Sequence, residues 1–324
     1  MSLNFSGITR LSMFPDFGAY PTLPLCPPWR ITTIYYDMPL YRPPSEGNNL
    51  IIQATLGCSA NYCTFCSMYK TKSYTARPLA QVFADIDSAA REWPTASRVF
   101  LADGDALTLS MDNLRAILNK LHETFPALTR VSAYATPKNL IDKSVDELRE
   151  LKSMKLNLVY MGIESGSTDV LKRVIKGASQ KTHGMALDNA NAAGLKVSAT
   201  VILGLAGQAG WEDHIAGTAK LINEHPPTYL STLQLTLDEG VVDEFMAGQE
   251  EGFQFQDDDA ILIEQEHLLK LLNPPKPVIF RSNHASNCLP LAGNLPKDRD
   301  KLLDVIALAK NQTHLLRSPQ MRGL

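Results

Sequence analysis

Cys58-Ser-Ala-Asn-Tyr-Cys63-Thr-Phe-Cys66 sets three thiols within nine residues, directly after an apolar run, Leu50–Leu56, that reads as a buried β-strand. The carboxyl end of a strand is where parallel α/β folds build their ligand sites. Cys26 and Cys288 bring the cysteines to five, an odd number, and crowding of this kind points to metal ligation before disulfides in a reducing compartment. Structural zinc takes four ligands, so a zinc reading needs a distant His or Cys288 to complete the set. A four-iron cubane is the alternative, in which three thiolates anchor three irons and leave the fourth open to a bound reactant. Three inert buried thiols are the third reading.

Outward from this loop, short apolar runs alternate with longer amphipathic ones. Strands are predicted at Leu50–Leu56, Arg98–Ala102, Arg130–Ala135, Leu156–Gly162, Lys196–Leu203 and Tyr229–Thr236. Helices are predicted at Leu79–Trp93, Met111–Phe125, Ser144–Met154, Ser167–Ile175, Gln180–Ala193, Trp211–Glu224 and Asp258–Leu272. Ser110 stands at an N-cap position, Ser144 and Glu147 have capping-box spacing, and Gly194 follows its helix at C′. A further strand, Val278–Ser282, and a helix, Asp298–Lys310, close the chain. Six strand–helix units of this spacing imply parallel strands with right-handed crossovers, in an open sheet or a complete or partial barrel. No Gly-x-Gly-x-x-Gly follows the first strand, which weighs against a dinucleotide fold.

Residues 1–48 hold Pro21, Pro24, Pro27, Pro28, Trp29, Tyr35, Tyr36, Pro43 and Pro44 without a sustained period, and are expected to form an irregular arm. Residues 49–240 are expected to be the core, and 241–324 an extension closing its side. With 44% hydrophobic and 20% charged residues over 324 positions, the chain is not disordered, collagenous or coiled-coil. A net charge of −3 argues against a whole-surface binder of nucleic acid or anionic membrane. The longest apolar stretch, Val197–Ala206, is half of what a membrane span requires, and no signal pattern opens the chain. A cytoplasmic protein is expected.

The thiol loop resembles the cluster motif of the radical S-adenosylmethionine (SAM) superfamily, usually Cys-x3-Cys-x2-Cys with an aromatic before the last Cys. Here the spacing is Cys-x4-Cys-x2-Cys, and Phe65 is the aromatic. Ala102-Asp103-Gly104-Asp105-Ala106 is similar to the family's Gly-Gly-Glu segment, although an ordinary Asp/Gly turn has the same composition. Gly162-Ile-Glu164-Ser-Gly166-Ser167 matches a segment found in many members, while Ser167 also fits an N-cap. Val201-Ile-Leu203-Gly204-Leu-Ala-Gly207 resembles a fourth family motif and equally a buried strand with a Gly turn. These motifs fall at the ends of predicted strands one, two, four and five, in family order.

The resemblance implies a partial (β/α)6 TIM-like barrel and a 4Fe–4S cluster held by Cys58, Cys63 and Cys66. It places Asp103, Gly104 and Asp105 at the SAM amino group, Glu164 at the ribose, and Phe65, Leu203 and Gly204 near the adenine. Ser198 or Thr200 could face the cofactor. Lys172, Arg173 and Lys176 read first as solvated helix charges, with the SAM carboxylate as their functional alternative. The implied reaction is reductive cleavage of SAM, with an electron from a low-potential donor such as flavodoxin or ferredoxin. Hydrogen abstraction from a small or medium-sized organic substrate then follows. Arg281-Ser-Asn283-His284-Ala-Ser-Asn287-Cys288 is a polar run suited to a substrate rim, or a self-satisfied turn. His284 is its acid–base candidate, and Cys288 a hydrogen-atom relay or a core thiol. Only Cys26 and Cys288 remain beside the cluster motif, which disfavours auxiliary clusters and the methylthiotransferases that carry them. A non-catalytic haem or cluster chaperone is the alternative function, and nucleic acid is not an expected partner.

Overall fold

The computed structural model describes residues 34–322. The greater part of the expected arm, with Cys26, lies outside the described residues. The strands are β1 Leu50–Gln53, β2 Thr55–Leu56, β3 Thr75–Ala76, β4 Arg98–Ala102, β5 Arg130–Tyr134, β6 Leu156–Glu164, β7 Lys196–Leu203, β8 Tyr229–Gln234, β9 Val278–Ser282 and β10 Leu291–Leu295. The helices are α1 Leu79–Glu92, α2 Met111–Thr124, α3 Pro137–Asp142, α4 Val145–Ser153, α5 Thr168–Arg173, α6 Gln180–Ala193, α7 Gly207–Glu224, α8 Glu239–Ala247, α9 Asp258–Leu271 and α10 Arg299–Asn311.

One sheet runs in the order β1-β4-β5-β6-β7-β8-β9-β10. It is parallel through β9, with β10 returning antiparallel along β9. β1 and β10 are its two edges, so the ring stays open. This is the α/β architecture of a partial TIM-like barrel. Strand alternation sorts the side chains onto two faces. Val99, Leu101, Val131, Ala133, Val197, Ala199, Val201 and Leu203 join Ile86, Leu118, Leu187, Ile215 and Leu268 of the helices in one core. On the other face Phe100, Tyr134 and Tyr160 meet edge to face, with centroids 5.2–6.2 Å apart. Glu46, in a short 3-10 turn at Pro44–Glu46, is fully buried and takes bonds from Arg130 (2.8 Å) and Tyr160 (2.5 Å).

The first predicted strand divides. After Gln53 the chain leaves the main sheet, the Ala54 carbonyl accepts from Arg77 N, and β2 pairs with β3 in a small antiparallel ribbon. That ribbon is the root of the thiol loop. The caps stand as predicted: Ser110 accepts from Asn113 N, Ser144 and Glu147 exchange bonds, and Gly194 is left-handed at φ 70°. Four of these strands and helices lack a sequence prediction, namely β3, α3, α8 and β10. Among the described residues no helix is long and apolar enough to cross a membrane.

Candidate active site

The loop that carries Cys58, Cys63 and Cys66 is bolted to the end of β4 by a buried carboxylate. Asp103 accepts from Gly57 N–H (2.8 Å), Gln53 Nε2 (3.2 Å) and Lys72 Nζ (3.1 Å). Gly104 N–H donates in turn to the Gly57 carbonyl (3.0 Å). A methyl group on Gly104 would lie 2.7 Å from Cys58 Cβ and 3.1 Å from its sulfur, so only glycine permits this approach. Asp105 is buried, accepts from the Ser59 hydroxyl, and keeps its Oδ1 without a hydrogen-bond partner. Burial pushes its carboxyl above the ordinary range.

Burial also raises all three thiols, Cys58 to about 11. Without a cation they stay protonated, and a bound metal would reverse that balance. On the far side of the loop, Thr64 N–H donates to the Val174 carbonyl (3.1 Å), and Tyr62 packs where a Gly177 side chain would stand. Lys176 follows from the same segment, with Nζ 5.9 Å from the Phe65 ring centre and 2.7 Å from Glu164 Oε1. Burial alone would depress the Lys176 ammonium, but Glu164, Cys63 and Cys66 outweigh it and hold the pKa high. Glu164 ends β6 in a left-handed conformation, φ 62°, at a register shift against β7. Its carboxylate folds back over Gly162, where a Cβ would strike Oε1 at 1.8 Å.

On β7, Ser198, Thr200 and Ile202 face away from the helix layer, whereas Leu203 belongs to the helix-side core. Ile202, not Leu203, joins Phe65, Leu233, Leu235, His284 and Ser286 around a cavity of about 90 Å³. Gly204 turns at φ 80°, and its N–H is held by both Glu264 oxygens (3.1 Å each). The His284 ring accepts from Ser286 N–H at Nδ1 (3.2 Å), which leaves Nε2 as the protonated nitrogen of the neutral ring. Burial and Arg317 lower its pKa. Cys288 is placed elsewhere: it packs in the helix-side core, is almost fully buried, and its thiol is pushed by burial to about 11.

The rim therefore brings Cys58, Cys63, Cys66, Phe65, Gly104, Asp105 and Glu164 together, and sets Asp103 behind the thiol loop as its anchor. Sequence reading missed Ser59, Ile202 and the inward role of Lys176. Ile202 was accessible from alternation, since Ser198 and Ile202 are four apart on one strand and share a face. Among the described residues no three His, Cys, Asp or Glu side chains converge on a single metal ion. A cubane places its thiolates on separate irons and makes no such demand. The orphaned Asp105 oxygen, the bare Gly104 contact and the Phe65 wall fit a cluster with an amino-bearing nucleoside beside it.

The chain is 29% identical over 167 residues to a candidate methylthiotransferase of Methanocaldococcus jannaschii, covering 49% of this chain and 36% of that protein. It is 23% identical over 116 residues to the heme chaperone HemW of Bacillus subtilis, covering 36% and 31%. It thus spans roughly a third of the length of these curated relatives. Coproporphyrinogen III oxidase (HemN) of Escherichia coli, described as a radical SAM enzyme, shares the fold with a TM-score of 0.52 at 18% identity, over 68% of this chain and 52% of that one. A family model matches residues 52–221, more than half of the sequence, and the chain belongs to the radical SAM superfamily, whose cofactors are a 4Fe–4S cluster and SAM.

Proposed function

We propose that this protein is an oxygen-sensitive, cytoplasmic radical SAM enzyme that abstracts a hydrogen atom from a small or medium-sized organic substrate. In this reading residues 49–240 are the catalytic core, 1–48 an arm and 241–324 the extension that shields its side. The observation that carries it is the meeting of three rim segments: the thiol loop, the Asp105 turn with its free oxygen, and the Glu164 turn. When bound, the cluster and SAM would supply the one-electron chemistry needed for hydrogen-atom abstraction.

The chain's own residues bind, orient and exclude solvent. Cys58, Cys63 and Cys66 would hold three irons. Asp105, whose Oδ1 accepts no hydrogen bond although Thr108 and Asn139 stand near it, suits an ammonium. Glu164 suits a diol, with Lys176 securing one of its oxygens and offering a cation to a carboxylate. Phe65, Ile202 and Leu233 form an apolar wall for a nucleobase, and Ser198 and Gly204 lie along the same strand and turn. His284 presents its Nε2–H as a donor at the edge of that wall. Cys288, walled into the helix-side core, does not share the cavity. The reductant would be a low-potential flavodoxin or ferredoxin.

The test is anaerobic reconstitution with iron and sulfide, followed by SAM and dithionite. A cluster whose EPR signal shifts on adding SAM, with 5′-deoxyadenosine formed, is the expected result. A chain that assembles no such centre, or one indifferent to SAM, overturns the proposal. The similarity to a heme chaperone favours one second reading, a non-catalytic cluster and haem carrier. An intact cluster that never yields 5′-deoxyadenosine, together with one-to-one haem binding by absorbance titration, selects that reading.

A further inference from the structure

Glu164 is a non-glycine residue at positive φ, a conformation that is strained unless its surroundings impose it. What imposes it comes from behind, out of α7. Ser165, next in sequence, is fully buried, and its Oγ lies 2.7 Å from His214 Nδ1. Gly166 N–H donates to Thr218 Oγ1 (2.8 Å), which donates to the His214 carbonyl (2.7 Å). Gly166 and Gly217 touch backbone to backbone, so that a Cβ on Gly166 would fall 2.3 Å from Gly217. Gln180 Nε2 bridges the Gly166 and Gly217 carbonyls (2.9 and 3.0 Å).

The other side of the His214 ring reaches a different strand. Nε2 lies 3.1 Å from the Ile202 carbonyl and 3.4 Å from Glu264 Oε1. A carbonyl only accepts, so Nε2 carries the proton; in the neutral ring Nδ1 then accepts from the Ser165 hydroxyl. That hydroxyl in turn takes the Ser167 N–H (2.9 Å). Glu264 holds the Gly204 N–H, two residues beyond Ile202. His214, Ser165 and Glu264 are all sealed from solvent, so this Ser–His–Glu array has no access to a substrate.

We propose that His214 is a positioning residue, which fastens the Glu164 turn to the Ile202 strand end and so fixes the carboxylate relative to the apolar wall. The inference rests on the radical SAM reading of those two rim segments. It assigns to α7 the task of holding both halves of the nucleoside site at one spacing.

Three variants test it: His214→Leu, His214→Gln, whose amide keeps one acceptor and one donor, and Ser165→Ala, which removes the same bond from its partner. In reconstituted protein, His214→Leu is expected to keep its iron and sulfide content. Its Kd and KM for SAM should rise about ten-fold or more, the size of effect expected of an outer-shell partner, with kcat for 5′-deoxyadenosine formation changed less than about three-fold. His214→Gln should recover most of that affinity. In the cluster-free protein, 15N-labelled histidine should show the Nε2–H tautomer for the signal lost in His214→Leu. Should His214→Leu fail to fold, Ser165→Ala gives the same reading. Wild-type SAM affinity in these variants, equal losses in Leu and Gln, or an Nδ1–H tautomer overturns the inference alone. A wild-type chain that builds no SAM-responsive cluster overturns the parent reading and this one with it.

Discussion

At position 104 a side chain has nowhere to go, because Cys58 already occupies the space. The contact distances, 2.7 Å to Cys58 Cβ, 3.1 Å to Sγ and 3.2 Å to Cα, all fall on the first thiol of the motif. The φ of this glycine is not positive, so steric proximity alone dictates it. Gly104→Ala must push Cys58 aside or lose the Gly57–Gly104 hydrogen bond that ties the loop to β4. Overpacking of this kind costs about 1–3 kcal/mol, which a domain of this size survives. The expected outcome is a folded protein, by far-UV circular dichroism, with a modestly lower Tm and a sharp drop in iron bound per chain after anaerobic reconstitution. Full iron loading in this variant would show that Cys58 tolerates displacement. Asp103 acts on the same joint from the other side, since its carboxylate fills three donors around Gly57.

Among the elements, α7 shows how a helix can serve a site it never enters. Gly217 lies against the Gly166 carbonyl, and a Cβ there would meet that oxygen at 2.8 Å and Ser167 N at 3.1 Å. Gly217→Ala raises helix propensity by about 1 kcal/mol, yet it should destabilise the protein, by about 1–3 kcal/mol net. Urea denaturation would decide the sign, and a gain in stability would refute the close packing. This glycine reads in the sequence only as a weakness in a helical pattern, because its partner lies 51 positions away. The same distance effect explains what was legible. β4–β8 and their helices were readable because burial on one face writes a local period. The thiol loop was readable because its ligands are adjacent in sequence. By contrast β10, Leu-Ala-Gly-Asn-Leu, exists because β9 offers an edge, and α3 is a six-residue helix begun by Pro137 with a Thr136–Asn139 capping box. Lys176 looked like a solvated charge until the fold laid it over Phe65 and Glu164. His214 and Glu264 had no local signal at all, since each bond that gives them meaning is made across the fold.

For the whole molecule, three buried titratable groups pull the pH dependence of stability in the cluster-free chain in opposite directions. Burial lowers His183 to about 3 and His214 to about 4, from 6.5, and raises Glu264 from 4.5 to about 8. Each histidine is neutral when folded and takes a proton once unfolded below pH 6.5, so stability falls as pH drops through 6.5 towards 4 and 3. Half-buried His284, also lowered, acts in the same direction. Glu264 has the opposite sign: it holds its proton in the fold up to about pH 8 but loses it above 4.5 when unfolded, so stability falls as pH rises across that window. Between pH 6.5 and 8 only Glu264 titrates among these groups, and acidification should stabilise the chain. Between 4.5 and 6.5 the histidines outnumber it, and acidification should destabilise. Stability is therefore expected to peak near pH 6.5, with limbs of about 1.4 kcal/mol per pH unit for each uncompensated proton. Two substitutions separate the limbs. Glu264→Gln should flatten the alkaline limb and steepen the acid one, whereas His214→Gln should make the acid limb shallower between pH 4 and 6.5 and leave the alkaline one unchanged. Urea unfolding across pH 4–8 measures all three curves. A wild-type profile that does not fall between pH 6.5 and 8 would mean that Glu264 is ionised in the fold beside a neutral His214, 3.4 Å away; passing the proton from Glu264 to His214 would leave the proton count, and so the alkaline limb, unchanged.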